Sequence, residues 1–472
     1  MSLPTATLAY LEAHWPEHLE RTRAFLRQPS VSAQNRGVRE CAELLVGWLR
    51  ERGASVELHG RQSHPIVYAE WRAARADAPT LLLYGMYDVQ PVDDQDWTTP
   101  PFAAEIWNHP LGGESIVARG ACNSKGPLMA MLHVIEAFRE NGGLPVHIKW
   151  TIEGEEEIGS LELPGFYERN RERLSADAAF EPFWSQSQPG DTPNIILGTK
   201  GVLGLEFIAR SGAWGGSREV IHSSLGVWVA SPAWRLIQAL STLVDAQQHL
   251  AVDGLPAYGT ILPSDDALLC AAAERLDTEE ERRLLGVQRL KDDAGPEELV
   301  RRLSFAPMLN LNGLKSGYLG EGSHTILPNE ARATADFRMP PGFTIEAVLD
   351  ALRAHLDRRG FSDIEVVMDS GYPAARTPFE APVVQAMLDA YRALGVEPVV
   401  DPIEPSATPY YLYTDVLGIP FVWGGLGWAG GSHGPDEWCS VRGLQNLMRS
   451  TASFLQAFSE RMGPVEGPRE TR

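Results

Sequence analysis

Apolar and polar positions change rhythm several times along the chain. From residue 5 to 53 apolar side chains recur at helical spacing, through Leu8, Leu11, Leu19 and Phe25 and then Leu44, Leu45 and Leu49, which predicts helices. Two runs then read as buried strands, Thr80-Leu81-Leu82-Leu83-Tyr84 and Val146-His147-Ile148-Lys149-Trp150-Thr151-Ile152, each delivering a polar loop at its C-terminal end. Between them, Pro127 to Phe138 reads as a helix. Strands alternating with helices predict an α/β, largely parallel sheet, whose ligands bind outside the carboxyl ends of its strands.

The rhythm changes near Gly198-Thr199-Lys200-Gly201, where a strand over Leu203 to Ala209, a Gly-rich loop and a helix from Pro232-Ala233-Trp234 begin a second unit. That unit closes after Ile364-Glu365-Val366-Val367-Met368, because Pro382 to Leu394 returns to an amphipathic helix and Pro420-Phe421-Val422-Trp423 to a buried strand. The middle unit is therefore expected to be an insertion. The charged stretch Asp277 to Arg302 reads as a solvated helical surface, and no internal repeat is visible.

Composition narrows the picture. At 472 residues the chain exceeds what one core organises, so two domains are expected. Sixty-two acidic residues against 41 basic give a formal charge of -21, which argues against nucleic acid and anionic membrane as partners. Cys41, Cys122, Cys270 and Cys439 lie far apart without a C-x-x-C pair, so neither a disulfide framework nor a thiolate zinc knuckle is suggested, and a cytoplasmic location is expected. The start, MSLPTATLAYLEAHW, lacks a basic stretch followed by an apolar one, and no apolar run reaches bilayer length.

Four segments carry candidate chemistry. In Glu153-Gly154-Glu155-Glu156-Glu157-Ile158-Gly159-Ser160, four carboxylates crowd a strand end. Bound cations or a shared proton would relieve the repulsion, and a raised pKa would suit a general base, while a solvated acidic turn is the plainer alternative. Asp88, in Tyr84-Gly85-Met86-Tyr87-Asp88-Val89-Gln90-Pro91, follows the other strand and could orient or coordinate a group there, or simply stabilise the turn. Arg119-Gly120-Ala121-Cys122-Asn123-Ser124-Lys125-Gly126-Pro127 is a Gly-punctuated helix entry able to hold an anion. The fourth, Gly431-Ser432-His433-Gly434-Pro435-Asp436-Glu437, presents His433 as a ligand or as part of a packed loop.

In order and context these segments resemble the co-catalytic zinc aminoacylase and carboxypeptidase superfamily, which includes acetylornithine deacetylase and succinyl-diaminopimelate desuccinylase, and above all its carnosinase-like dipeptidases. Pro100-Pro101-Phe102, Ser231-Pro232-Ala233-Trp234-Arg235 and Gly320-Glu321-Gly322-Ser323-His324-Thr325 extend the likeness over nearly the whole chain. The resemblance implies a zinc-peptidase-type catalytic domain of residues 1–200 and 372–472 and an inserted α+β lid and dimerisation domain of residues 201–371. By position, Glu156 matches the general base, Glu157 the adjacent metal ligand, Asp88 the aspartate that orients the first histidine ligand, and His433 the last histidine ligand. His222 matches the lid histidine that reaches a neighbouring subunit's substrate, and Arg338 the lid arginine that meets the substrate carboxylate, with internal pairing as the alternative for Arg338.

The departures matter as much. Met86 stands where the first histidine ligand is expected, Asn123 at the bridging aspartate, and Glu181 at the third carboxylate. A thioether is a soft ligand beside oxygen donors, and a neutral amide bridges cations badly. The expectation is therefore zinc or another divalent ion, one at most or none, on Glu157 and His433 with Glu181 as a further candidate. The substrate loop, with paired glycines before a serine in the family, here reads Glu404-Pro405-Ser406-Ala407-Thr408, with Ser406 a candidate substrate contact. Cys122, beside Asn123, reads as a small buried residue ahead of a nucleophile or soft ligand. The leading expectation is a homodimeric amide hydrolase, of dipeptidase or deacylase type, acting on a small peptide or N-acyl amino acid. The alternatives are a metal-independent enzyme using Glu156, Asp88 and His222 for isomerisation, elimination or acyl transfer, and a non-catalytic binding homologue.

Overall fold

A computed structural model describes residues 2–93 and 95–464, and the chain divides into two compact units. The first comprises residues 1–197, 377–400 and 412–472, and the second residues 198–376 and 401–411. The seams fall within a few residues of 200 and 372, except at 401–411. That segment belongs with the second unit because Glu404–Ala407 pairs in parallel with the Gly198–Arg210 strand.

In the first unit a six-stranded sheet runs in the order Ser55–Gly60, Pro65–Trp71, His147–Glu153, Thr80–Met86, Ala178–Pro182, Phe421–Gly424. The last four are mutually parallel, and Pro65–Trp71 pairs antiparallel with its neighbour on either side, so the sheet is mostly parallel, as the alternating pattern predicts. Leu81, Leu82, Leu83, Trp150 and Ile152 are buried to the last atom, which is why these strands are apolar on both faces. Helix Lys125–Glu140 packs beside Val441–Met462, whose N-terminus is capped by Ser440 accepting the Gly443 N–H at 3.3 Å. The predicted N-terminal helical stretch resolves into Thr5–Ala13, Trp15–Arg27 and Val38–Glu51.

The second unit is built on an antiparallel sheet, Met308–Ser316, Glu330–Met339, Gly198–Arg210, Glu365–Tyr372. Leu203, Leu205, Phe207 and Phe337 project to one face and are buried with Leu236 of helix Pro232–Ser241 and Leu352 of helix Ile345–Arg358. The alternate positions, among them Lys200, Val202, Arg338 and Asp336, share the other face. The charged stretch after Asp277 departs from a continuous solvated helix. It breaks after Leu285, and Pro296–Phe305 turns Val300 and Phe305 into a small core with Leu269 and Ile403.

Candidate active site

The three parallel strands Thr80–Met86, His147–Glu153 and Ala178–Pro182 end side by side, so the loops that follow them converge. Their fully buried interiors make the sheet a rigid base, and the carboxylates are delivered at its edge.

The four glutamates of the acidic loop divide by environment. Glu153, 1% exposed, accepts hydrogen bonds from the Tyr84 hydroxyl at 2.7 Å and the Ser160 hydroxyl at 2.9 Å, and burial pushes its carboxyl well above the usual range. Glu155, equally buried, accepts the Glu162 N–H at 3.1 Å. These two hold the loop together. Glu156 and Glu157 are half-buried as residues, with the Glu157 side chain only 3% exposed, and open the short 3-10 turn Glu156–Ile158. Burial, then the charges of Glu157, Asp88 and Glu181, push Glu156 up to about 8.

Asp88 is buried beneath that turn and caps it, its two carboxylate oxygens accepting the N–H of Glu156 at 3.2 Å and of Glu157 at 3.0 Å. Burial raises its own carboxyl to about 7. Its orienting role thus falls on the glutamate turn, since position 86 carries the buried thioether of Met86 and no ring.

Glu157 meets three side chains. Gln90 Nε2 donates to its Oε2 at 2.8 Å, Asn123 Nδ2 donates to its Oε1 at 3.1 Å, and His433 Nε2 stands 3.2 Å from Oε2. Asn123 Nδ2 also lies 3.2 Å from His433 Nε2. Glu157, Asn123 and His433, distant in sequence, thus form one triangle. Met86 and Glu181 sit at the ends of neighbouring strands, and Glu181 acts on Glu156 through its charge.

These residues bear on which metal chemistry is possible. Two donors on one tetrahedral zinc, at about 2.0 to 2.1 Å each, stand roughly 3.3 Å apart, and the Glu157 and His433 donor atoms have that spacing. At 3.2 Å the two atoms are also within hydrogen-bond range of each other. On the Met86 side the donors are a thioether and one carboxylate, a poor set for zinc. Among the described residues no group of three or more His, Cys, Asp or Glu side chains is placed to hold an ion.

The helix-entry loop holds an anion, and the anion is the protein's own. Glu437, 1% exposed, accepts the N–H groups of Gly120 at 3.0 Å, Cys122 at 2.9 Å and Asn123 at 2.8 Å, and pairs with Arg119 at 2.8 Å. Gly120 makes this possible: it sits at φ 86°, and a Cβ there would lie 2.9 Å from Val89. The Arg119 guanidinium also donates to the His433 carbonyl at 3.2 Å, so one buried ion pair ties the Asn123 loop to the His433 loop. Sequence reasoning missed Glu437 and Gln90 as site-building residues, although both lie inside the quoted motifs. Cys122 is buried and receives a hydrogen bond from Ser432, and burial pushes its thiol up to about 12, which removes it as a nucleophile near neutral pH.

His222, Arg338 and Ser406 belong to the second unit. The exposed His222 has Nδ1 2.8 Å from the Ser224 hydroxyl, with Nε2 3.4 Å from Thr325 Oγ1. Arg338 pairs through Nε with Asp336 at 3.0 Å, and Ser406 is exposed in the Glu404–Ala407 strand.

The chain resembles known proteins. The family described as Peptidase family M20/M25/M40 matches residues 82–457. The Beta-Ala-His dipeptidase of Homo sapiens is 30% identical over 308 residues, covering 62% of this chain and 56% of that protein. The Cys-Gly metallodipeptidase DUG1 of Saccharomyces cerevisiae is 25% identical over 397 residues, covering 81% of this chain and 79% of its own. A solved structure, the M20 family metallo-carboxypeptidase Sso-CP2 from Sulfolobus solfataricus, aligns with a TM-score of 0.82 at 32% identity, covering 94% of this chain and 99% of its own.

Proposed function

This chain belongs to peptidase family M20/M25/M40, and from that premise we propose that it hydrolyses an amide bond in a dipeptide or N-acyl amino acid, at the acidic crevice of its first unit, with one divalent ion at most. The observation that carries the reading is the triangle of Glu157, Asn123 and His433 beside the enclosed carboxyl of Glu156.

In this reading Glu156 is the general base. It takes a proton from the attacking water and returns it to the leaving amine, a task suited to a carboxyl held near 8 by its surroundings. Asp88 keeps the turn in place by holding the two backbone N–H groups at its start. Glu157 and His433 would hold the ion, and Gln90 fixes the orientation of the Glu157 carboxylate. The ion, when bound, supplies Lewis-acid polarisation of the scissile carbonyl. His222, Arg338 and Ser406 serve the substrate.

The relatives' printed names, dipeptidase, metallodipeptidase and metallo-carboxypeptidase, support peptide substrates and metal dependence. A homodimer through the second unit is supported by the Met308–Ser316 edge strand, which exposes Leu311 and Leu314, and by the exposed Val227, Trp228 and Trp234. A reducing, cytoplasmic setting is supported by four unpaired cysteines. No helix among the described residues is long and apolar enough to cross a membrane.

The test is a panel of dipeptides and N-acyl amino acids assayed with zinc, manganese or chelator, together with metal analysis of the purified chain. Hydrolysis that chelator removes, at no more than one ion per chain, is expected. No turnover across the panel with any metal, or full turnover by Glu156→Gln, would overturn the reading.

A further inference from the structure

The second unit contains a cavity of about 980 Å³ that the sequence motifs do not predict. It lies on the polar face of the sheet, where the C-terminal end of helix Pro296–Phe305 and the Glu404–Ala407 strand contribute walls. Its size falls within the range of small-molecule sites. Leu299, Leu303 and Met308 contribute apolar side chains to its lining.

Two cations stand on the sheet face of this cavity. Arg338 is opposite Val202 in the antiparallel ladder, and Lys200, two residues before Val202, is its diagonal neighbour on the same face. Lys200 is 4% exposed, and its ammonium donates to two main-chain carbonyls, Ala306 at 2.7 Å and Arg302 at 3.4 Å. Among the described residues no carboxylate comes within ion-pair range of it, and the charge acting on it is that of Arg338, a repulsion. Burial and that repulsion lower Lys200 to about 8. Arg338 meets Asp336 through Nε, which leaves its terminal nitrogens without a hydrogen bond among the described residues.

The remaining charges on the cavity wall are already engaged or weakened. Arg302 pairs with Glu298 at 2.6 Å and Asp292 at 2.8 Å, and Glu298 also accepts from Tyr258 at 2.7 Å. Lys291 donates to the Gln248 carbonyl at 3.0 Å and is exposed, so solvent screens its charge. The carboxyl of Glu404 is raised by burial and by Asp401, so it sheds its charge more readily than an exposed glutamate. A buried cation beside a like charge carries an electrostatic cost that its two carbonyl partners offset only in part and that a bound anion would relieve.

We infer that this cavity binds a dicarboxylate, with Lys200 and Arg338 each taking one carboxylate and the leucine walls covering the aliphatic frame between them. One carboxylate would meet the free edge of the Arg338 guanidinium, and the other the remaining Lys200 N–H. The dicarboxylate is either the acidic residue of a substrate or a free effector. Where it is the substrate's residue, the inference deepens the hydrolase reading and rests on it; binding itself does not.

Calorimetric titration of the full chain at pH 7 with glutarate and with butyrate, at matched ionic strength, tests the inference. Glutarate is expected to bind about ten-fold more tightly than butyrate, the effect of a second charge-assisted contact. Lys200→Met should cost glutarate about ten-fold while leaving butyrate within about two-fold. Arg338→Gln, at a partly exposed position, provides a second variant and should weaken glutarate comparably. Equal affinity for the two acids, no glutarate binding, or unchanged glutarate binding in both folded variants would overturn the inference. With turnover established, competition between glutarate and peptide identifies a substrate residue, and a change in kcat without competition identifies an effector. Since the titration needs no turnover, its failure is separate from failure of the hydrolase reading.

Discussion

Arg119 and Glu437, each 1% exposed, form an ion pair at 2.8 Å between loops more than 300 residues apart in sequence. The pair has no direct contact with the crevice carboxylates, yet it sets the backbone of Asn123 and the carbonyl of His433. Breaking it leaves the buried Arg119 guanidinium with only neutral acceptors, the carbonyls of Pro91, His433 and Gly434 and the Gln95 side chain.

Glu437→Gln is therefore expected to destabilise the first unit by about 3 kcal/mol, the magnitude typical of removing one partner from a buried pair. Urea unfolding monitored by tryptophan fluorescence measures this. Unchanged stability would mean that the loops are held by other contacts. Activity should fall with it, because Asn123 and His433 lose their common anchor.

Glu156→Gln removes the proton acceptor while keeping shape. A loss in kcat of about 10² to 10⁴ with little change in KM is expected. In the wild type, activity requires ionised Glu156, so kcat/KM should climb as pH rises through about 8 when metal is scarce. Added zinc should move that inflection to lower pH, because a nearby cation favours the carboxylate. Profiles recorded at limiting and at saturating zinc decide it; an identical inflection in both speaks against an ion beside Glu156.

Asn123→Asp places a carboxylate where an amide now donates to Glu157 at 3.1 Å. Without metal the variant should lose about 1 to 2 kcal/mol from like-charge repulsion. Zinc should restore this, and with Met86→His added, metal analysis should rise toward two ions per chain. Thermal melts with a zinc titration check both statements, and a variant indifferent to zinc would count against the ligand assignment.

His18 and His133 are fully buried under the N-terminal helices, their rings stacked at 4.4 Å with Arg21, Arg52 and Glu136 nearby. Burial lowers His18 to about 4 and His133 further below its usual value. A histidine kept neutral in the fold contributes stability that is present above its unfolded value of 6.5 and is lost as pH falls through about 4. Stability should thus drop between those limits, and His18→Phe should flatten the drop. Melting temperatures across that range in both proteins give the comparison.

Much of this was legible in residue order. The apolar runs at Thr80 to Tyr84 and Val146 to Ile152 became parallel strands because full burial demands apolar residues on both faces. Glu156, Glu157, Asp88, Asn123 and His433 were singled out by motif, and the fold brings them together. The helix entry at Arg119 was correctly suspected of holding an anion, yet nothing local pointed to Glu437 as that anion. That residues 401–411 group with the second unit is not legible in the sequence, because a short strand carries no mark of the sheet it joins.

The sequence by itself determined the fold class, the family and the identities of the acidic, amide and thioether groups at the strand ends, since periodicity and side-chain chemistry are local properties. Only the tertiary structure decided which glutamates brace the loop, that Glu157 meets Gln90, Asn123 and His433, that Asp88 caps the turn, and that Lys200 is a buried cation lacking a carboxylate partner among the described residues. Burial and pairing depend on groups hundreds of residues away, and these set the charge state on which the chemistry rests.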